Sequence, residues 1–174
     1  MELLDGACYL IEDPKPNLSF RIVSELARRG TPGLCITRLH PGIARDRYRL
    51  DGVRVVWLSD APGQDVVRPN PIVSLSKEIE SFVHAHGDAV VLLDGVEYLI
   101  SRNGFDSVLM FVEHLNEFFA RTSATLLVPL SPETLDRKER ARLERNLDVA
   151  EVDSWQSELD ARDWSERLGA RTPE

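Results

Sequence analysis

The stretch VVLLDGVEYLI, residues 90–100, decides how this chain is read. Four apolar residues run into Asp94, and Glu97 follows three places later. An unbroken apolar run of this length is the signature of a strand covered on both faces, not of one with a wet side. An acid at the end of such a strand is where mononucleotide-hydrolysing enzymes hold magnesium. Asp94-Gly-Val-Glu97 is equally an Asp-x-x-Glu pattern, in which Asp94 caps a following helical turn and Glu97 reaches back. Capping is the expectation, with Tyr98, Leu99 and Ile100 packing inward; a working metal or ligand site is the alternative.

Four further segments match this strand: ACYLI (7–11), GLCIT (33–37), VRVVWL (53–58) and ATLLVPL (124–130). Helical periodicity fills most of the gaps. Leu18, Ile22, Val23 and Leu26 follow Asn17 and stop at Gly30. Ile72, Leu75, Ile79, Phe82 and Val83 follow Asn70-Pro71, which places a proline at the first helical position, and stop at Gly87. Asn103 is read as the cap of a helix striped by Phe105, Val108, Leu109, Val112, Leu115 and Phe119. A capping box at Asp136 and Glu139 opens a fourth, with Leu143 and Leu147 on its apolar side. Between residues 38 and 52 only a short helical turn is expected. Strands alternating with helices predict a parallel five-stranded sheet with helices on both faces.

A length of 174 residues suits one domain that buries roughly two-thirds of its unfolded surface. Its formal charge of -8 disfavours nucleic acid and anionic membranes, because both demand clustered Lys and Arg. Cys8 and Cys35 lie inside apolar runs and read as packing residues, not as a disulfide framework or reactive thiols. The start MELLDG lacks a basic n-region, and no apolar run approaches the roughly 20 residues that span a bilayer. A soluble cytoplasmic protein is therefore expected. His84 and His86 stand two apart, a poor metal geometry on a helix, and His114 and His40 stand alone, so neither a metal nor another cofactor is expected. The run RKERARLER (137–145) reads as a solvated, charge-laced helix face.

The loop EDPKPNLSF (12–20) follows the first strand. Loops that cradle phosphates at this position rely on glycines and free N–H groups. This one has no glycine, two prolines and two acids, and Lys15 lacks a following Ser or Thr. ATP hydrolysis, and enzymatic activity in general, is not expected.

The order GACYLIEDPKP, GLCITRLHP, VVWLSD, VVLLDGVEYLISRNGF and SPETLDRKERARLE resembles the domain of unknown function 835 family, known mainly from archaea. The resemblance covers about residues 5–150. It implies a fold related to the RecA and circadian-clock ATPase class that has lost its phosphate loop, and it implies no catalytic activity. The expected architecture is thus a three-layer α/β sandwich, mostly parallel, over residues 1–150, with residues 151–174 as a helical or partly ordered tail.

In a parallel sheet, ligands bind beyond the carboxyl ends of the strands, where strand order reverses. Asp13, Thr37, Arg38, Ser59, Asp60, Asp94, Glu97 and Ser131 fall there. Thr37, Arg38, Asp94, Glu97 and Ser131 form the candidate ligand set. A guanidinium at Arg38 suits a phosphate or carboxylate, or else pairs internally with Asp94 or Glu97. In the tail, Trp155 and Leu159 share one helical face while Trp164 and Leu168 fall roughly opposite. The tail therefore either breaks near residues 160–163 or contacts two surfaces, and these four residues are the candidate partner-binding set, for an unidentified protein or a second copy of the chain. The expectation is a non-catalytic interaction or regulatory module; the alternative is a nucleotide- or phosphometabolite-binding sensor using Arg38 with Asp94 and Glu97.

Overall fold

The structure, a computed structural model, describes residues 2–13 and 15–169, with side chains through Arg167. The chain opens β1 (Cys8–Glu12), α1 (Asn17–Arg28), β2 (Gly33–Thr37), α2 (Pro41–Tyr48), β3 (Arg54–Leu58) and β4 (Val66–Val67). It continues α3 (Val73–His86), β5 (Val90–Leu93), α4 (Val96–Asn103), α5 (Phe105–Phe119) and β6 (Thr125–Leu130). It closes with α6 (Arg137–Glu144), β7 (Asp148–Val149) and α7 (Val152–Gly169).

The strands form one sheet in the order β4-β3-β2-β5-β6-β1-β7, and every pairing is parallel. Successive side chains of a strand point to opposite faces, and here both faces are apolar. Along β5, Val91 and Leu93 enter a core built with α3, α4, α5 and α6. Val90 and Leu92 enter the opposite core, built with α1, α2 and α7. Three layers follow directly, because a strand apolar on both sides is stable only between two helical layers.

The sheet has seven strands, not five. The two additions, β4 and β7, are two-residue edge pairings, Trp57↔Val66 with Leu58↔Val67, and Tyr9↔Asp148 with Leu10↔Val149. Segments this short carry no periodicity, and β7 is exposed at both residues.

Local signals were mostly but not uniformly decisive. The Asp136 capping box is present: its carboxylate accepts the N–H groups of Lys138 and Glu139 at 2.8 and 2.9 Å, and Glu139 accepts the N–H of Asp136 at 3.2 Å. Leu147 lies beyond the end of α6 yet is buried. Pro71 does not open α3. The Ser74 N–H bonds to the Pro71 carbonyl at 3.1 Å, which makes a turn, and the helix starts at Val73. Nor does Asn103 cap α5; it is the last residue of α4, and its amide donates to the carbonyls of Pro69 and Leu99 at 2.8 and 3.0 Å. Gly104, at φ +82°, separates the two helices, a conformation that favours glycine. Among the described residues no helix is long and apolar enough to cross a membrane.

From Val152 to Gly169 the tail is one continuous helix, without the break expected near residues 160–163. Its first turns dock by apolar contact: Leu159 is buried, and Trp155 meets Tyr9 edge to face at 5.0 Å between ring centroids. Farther along, acids do the docking. Asp160 and Asp163 reach Arg21 at 2.9 and 2.8 Å, and Glu166 reaches Arg28 at 2.7 Å. The missing apolar stripe is explained: half of the inward face is charged. Trp164 points to solvent at 66% exposure, and the side chain of Leu168 lies outside the described residues.

Exposed ion pairs contribute at most about 1 kcal/mol each, so the apolar anchor dominates docking. Leu159→Ala should cost about 2–4 kcal/mol in urea unfolding, and Trp164→Ala should stay within about 0.5 kcal/mol. Equal losses would show that α7 is held differently.

Candidate functional site

The chain leaves β2 toward β3 but leaves β5 toward β6. The connections of two adjacent strands therefore diverge, which opens a crevice at their carboxyl ends. Thr37 ends β2 and Asp94 immediately follows β5, so the fold sets both at this point. The Thr37 hydroxyl donates to Asp94 Oδ2 at 2.7 Å and accepts the Leu39 N–H at 3.1 Å. The Asp94 N–H continues the ladder to the Ile36 carbonyl at 2.8 Å.

This arrangement overturns the helix-cap expectation for Asp94. Gly95, at φ +123°, occupies the cap position of α4, and no side chain caps that helix. Glu97 does not reach back either. Its Oε1 accepts the Ser131 N–H at 3.0 Å, which ties the first turn of α4 to the end of β6. Ser131 thus contributes its backbone, and its carbonyl accepts the Thr134 hydroxyl at 2.7 Å.

Arg38 pairs with neither acid. Its guanidinium carbon lies 3.8 Å from the centre of the Tyr98 ring, and Nη1 donates to the Leu58 carbonyl. Close approach to Gly95 makes this possible: a Cβ there would come within 3.0 Å of Arg38 Cγ and 3.1 Å of Leu58. Tyr98 and Arg102 complete the patch. Arg102 donates to the Tyr98 hydroxyl at 2.7 Å and to Asp60 at 2.6 Å. Neither was singled out from the sequence as a site residue, although their i,i+4 spacing puts them on one face of α4. Ser59 accepts the Ala61 N–H at 3.1 Å and stays within its own turn.

At the start of α1, Asp13 accepts the Lys15 N–H through Oδ1 and the Leu18 N–H through Oδ2, each at 3.1 Å. Among the described residues, no three His, Cys, Asp or Glu side chains gather as a metal site requires. His114 pairs with Glu80, and His86 Nδ1 lies 2.8 Å from the Phe82 carbonyl. Cys8 and Cys35 are buried and free, their thiols pushed up by burial first and by Asp148 and Asp94 second; for Cys8 the value is about 12. Neither is a nucleophile at neutral pH.

Asp94 is the titratable group that the fold perturbs here. Burial raises its carboxyl to about 6, and Glu97 adds to the rise, against the Thr37 hydrogen bond and the charge of Arg38. Between the ordinary value of 3.8 and about 6, the folded protein binds more protons than the unfolded chain, so this group's contribution to stability falls as pH rises. Asn keeps the acceptor for Thr37 without the charge. Asp94→Asn should therefore match the wild type near pH 4 and exceed it above pH 6 by on the order of 1–3 kcal/mol, read from urea unfolding across that range. A constant difference would place the perturbation elsewhere.

The solved structure of a KaiC-like protein, PH0186, from the hyperthermophilic archaeon Pyrococcus horikoshii OT3 is similar to this chain with a TM-score of 0.57. The likeness covers 83% of this chain and 71% of that one at 15% identity, and so speaks to the fold, which is RecA-like. A comparison with curated proteins gives no match. A family model described as "Protein of unknown function (DUF835)" matches residues 12–147. With most of its length matched, and with the parallel α/β sheet and strand-end residues described above inside that range, this chain belongs to the DUF835 family.

Proposed function

We propose that this chain is a non-catalytic interaction or regulatory module, built on a RecA-like scaffold whose phosphate-binding loop is degenerate. One observation carries this: the carboxylate of Asp13 already accepts the Leu18 N–H in the first turn of α1 and the Lys15 N–H just before it. A helix N-terminus attracts phosphate through free N–H groups and the positive end of the helix dipole. Here a negative charge of the chain's own stands at that place, and Pro16, next to the helix, has no N–H to offer. A triphosphate would have to displace Asp13 and find other donors. The partner is a protein, either another chain or a second copy of this one, and the buried, unpaired cysteines suit a reducing cytoplasmic setting.

A second reading, a nucleotide or phosphometabolite sensor, is favoured by the exposed guanidinium of Arg38 beside Asp94. Calorimetric titration with ATP, ADP and GTP, each with and without magnesium, separates the two. No saturable heat is expected from the folded protein. Binding that Arg38→Ala abolishes while the fold persists would replace the interaction module by a sensor.

A further inference from the structure

Arg38 is exposed, yet its side chain is fixed at three points. Its stem crosses Gly95, where a Cβ would intrude at 3.0 Å; its guanidinium carbon lies 3.8 Å from the Tyr98 ring centre; and Nη1 donates to the Leu58 carbonyl. An exposed arginine ordinarily keeps its rotamer freedom, and ordering it in advance lowers the entropy cost of binding. Among the described residues no carboxylate forms an ion pair with it, and Nε and Nη2 donate to no protein group. Arg102, by contrast, is already engaged with Asp60. The guanidinium is thus oriented and only partly used.

Two features narrow what would use it. Cavities of about 430 and 460 Å³ lie elsewhere, one beside α1, α2 and α7 and one beside β7, and neither is lined by Arg38. Small ligands need enclosure of most of their surface, whereas a protein segment brings its own surface to cover an open stack. Asp94, close enough for the charge of Arg38 to act on it, and Asp60, joined to Tyr98 through Arg102, oppose a polyphosphate or a run of acids, but a single carboxylate with neutral or basic neighbours fits beside them.

The geometry points to Arg38, held on Tyr98, as the recognition point for one Asp or Glu side chain of a partner protein, in a segment whose flanking residues are neutral or basic. The fork left by Nε and Nη2 donates to the two oxygens of a carboxylate side by side. This rests on the interaction-module reading and names the chemistry its partner would present.

The test titrates protein labelled at the arginine side-chain nitrogens with the capped peptide acetyl-Gly-Lys-Glu-Lys-Gly-amide and with its Gln twin, following the Arg38 Nε–H resonance by NMR. The Glu peptide is expected to shift that resonance saturably and to bind at least about 10-fold more tightly than the Gln twin, although the twin carries the larger positive charge toward an acidic protein. Arg38→Gln should abolish the preference, Arg38→Lys should not restore it because ammonium lacks the planar fork, and Tyr98→Leu should weaken it. Unchanged thermal midpoints establish that the variants are folded. Equal affinity for the twins, or a Glu preference that survives Arg38→Gln, overturns the inference. A parallel titration with ATP and magnesium keeps the two levels apart. Silence from peptides and nucleotide alike removes the carboxylate site and leaves the interaction module standing, whereas saturable nucleotide binding at Arg38 removes both.

Discussion

The constraint on which the rest of this structure depends is that β2 and β5 are buried on both faces. A parallel strand between two helical layers has no side on which to place a polar residue, so polarity is displaced to its ends. Leu34, Cys35 and Ile36 fill β2, and Val90 to Leu93 fill β5. The first polar side chains that these strands offer, Thr37 and Asp94, meet each other across the point where the connections diverge. The cores and the strand-end chemistry are therefore consequences of one arrangement. Apolar packing brings the carboxyl ends into register, and that register brings together groups 57 residues apart.

The same edge shows two ways of handling an anion near backbone donors. At the start of α1, Asp13 lies on the chain's own N–H groups and is satisfied by them. Asp94 stands after β5 with a hydroxyl for a partner and burial against it, and the result is a carboxyl shifted upward. Glu97, near enough to raise Asp94 further, is directed away to Ser131. Asp13 is placed by local N–H groups, Asp94 and Glu97 by tertiary partners, although all three occupy comparable positions at or just beyond the ends of strands.

That dependence on tertiary partners explains what was legible in the sequence. Long apolar runs declared the five longer strands, because burial on both faces leaves a mark on every residue. The capping box at Asp136 was legible because all its partners lie within three residues. Asp94-Gly-Val-Glu97 has the same pattern and failed, because Gly95 at φ +123° redirects the chain and Thr37 captures the carboxylate from a distant strand. The edge strands β4 and β7 were too short to show a period. Within α7 the docking face past Leu159 is written in Asp160, Asp163 and Glu166, which a search for apolar stripes passes over. Arg38 was legible as a strand-end cation, but its seat was not: Tyr98 lies on α4, and nothing local couples the two.

Arg38 and Asp94 are opposite cases of one physical problem. The acid is held where its charge is costly, and an amide would satisfy the same Thr37 hydroxyl without that cost. The guanidinium is held where its charge is cheap, on an aromatic face at the surface, with donors left over. Together they give the edge a local field with a positive point set among acids. In the proposed role such a field favours a single carboxylate over a polyanion, because each further negative charge meets the acids and not Arg38. Selectivity of that kind needs no enclosed pocket, only fixed charges, and fixing the charges is what Tyr98, Gly95 and the Leu58 carbonyl accomplish for Arg38.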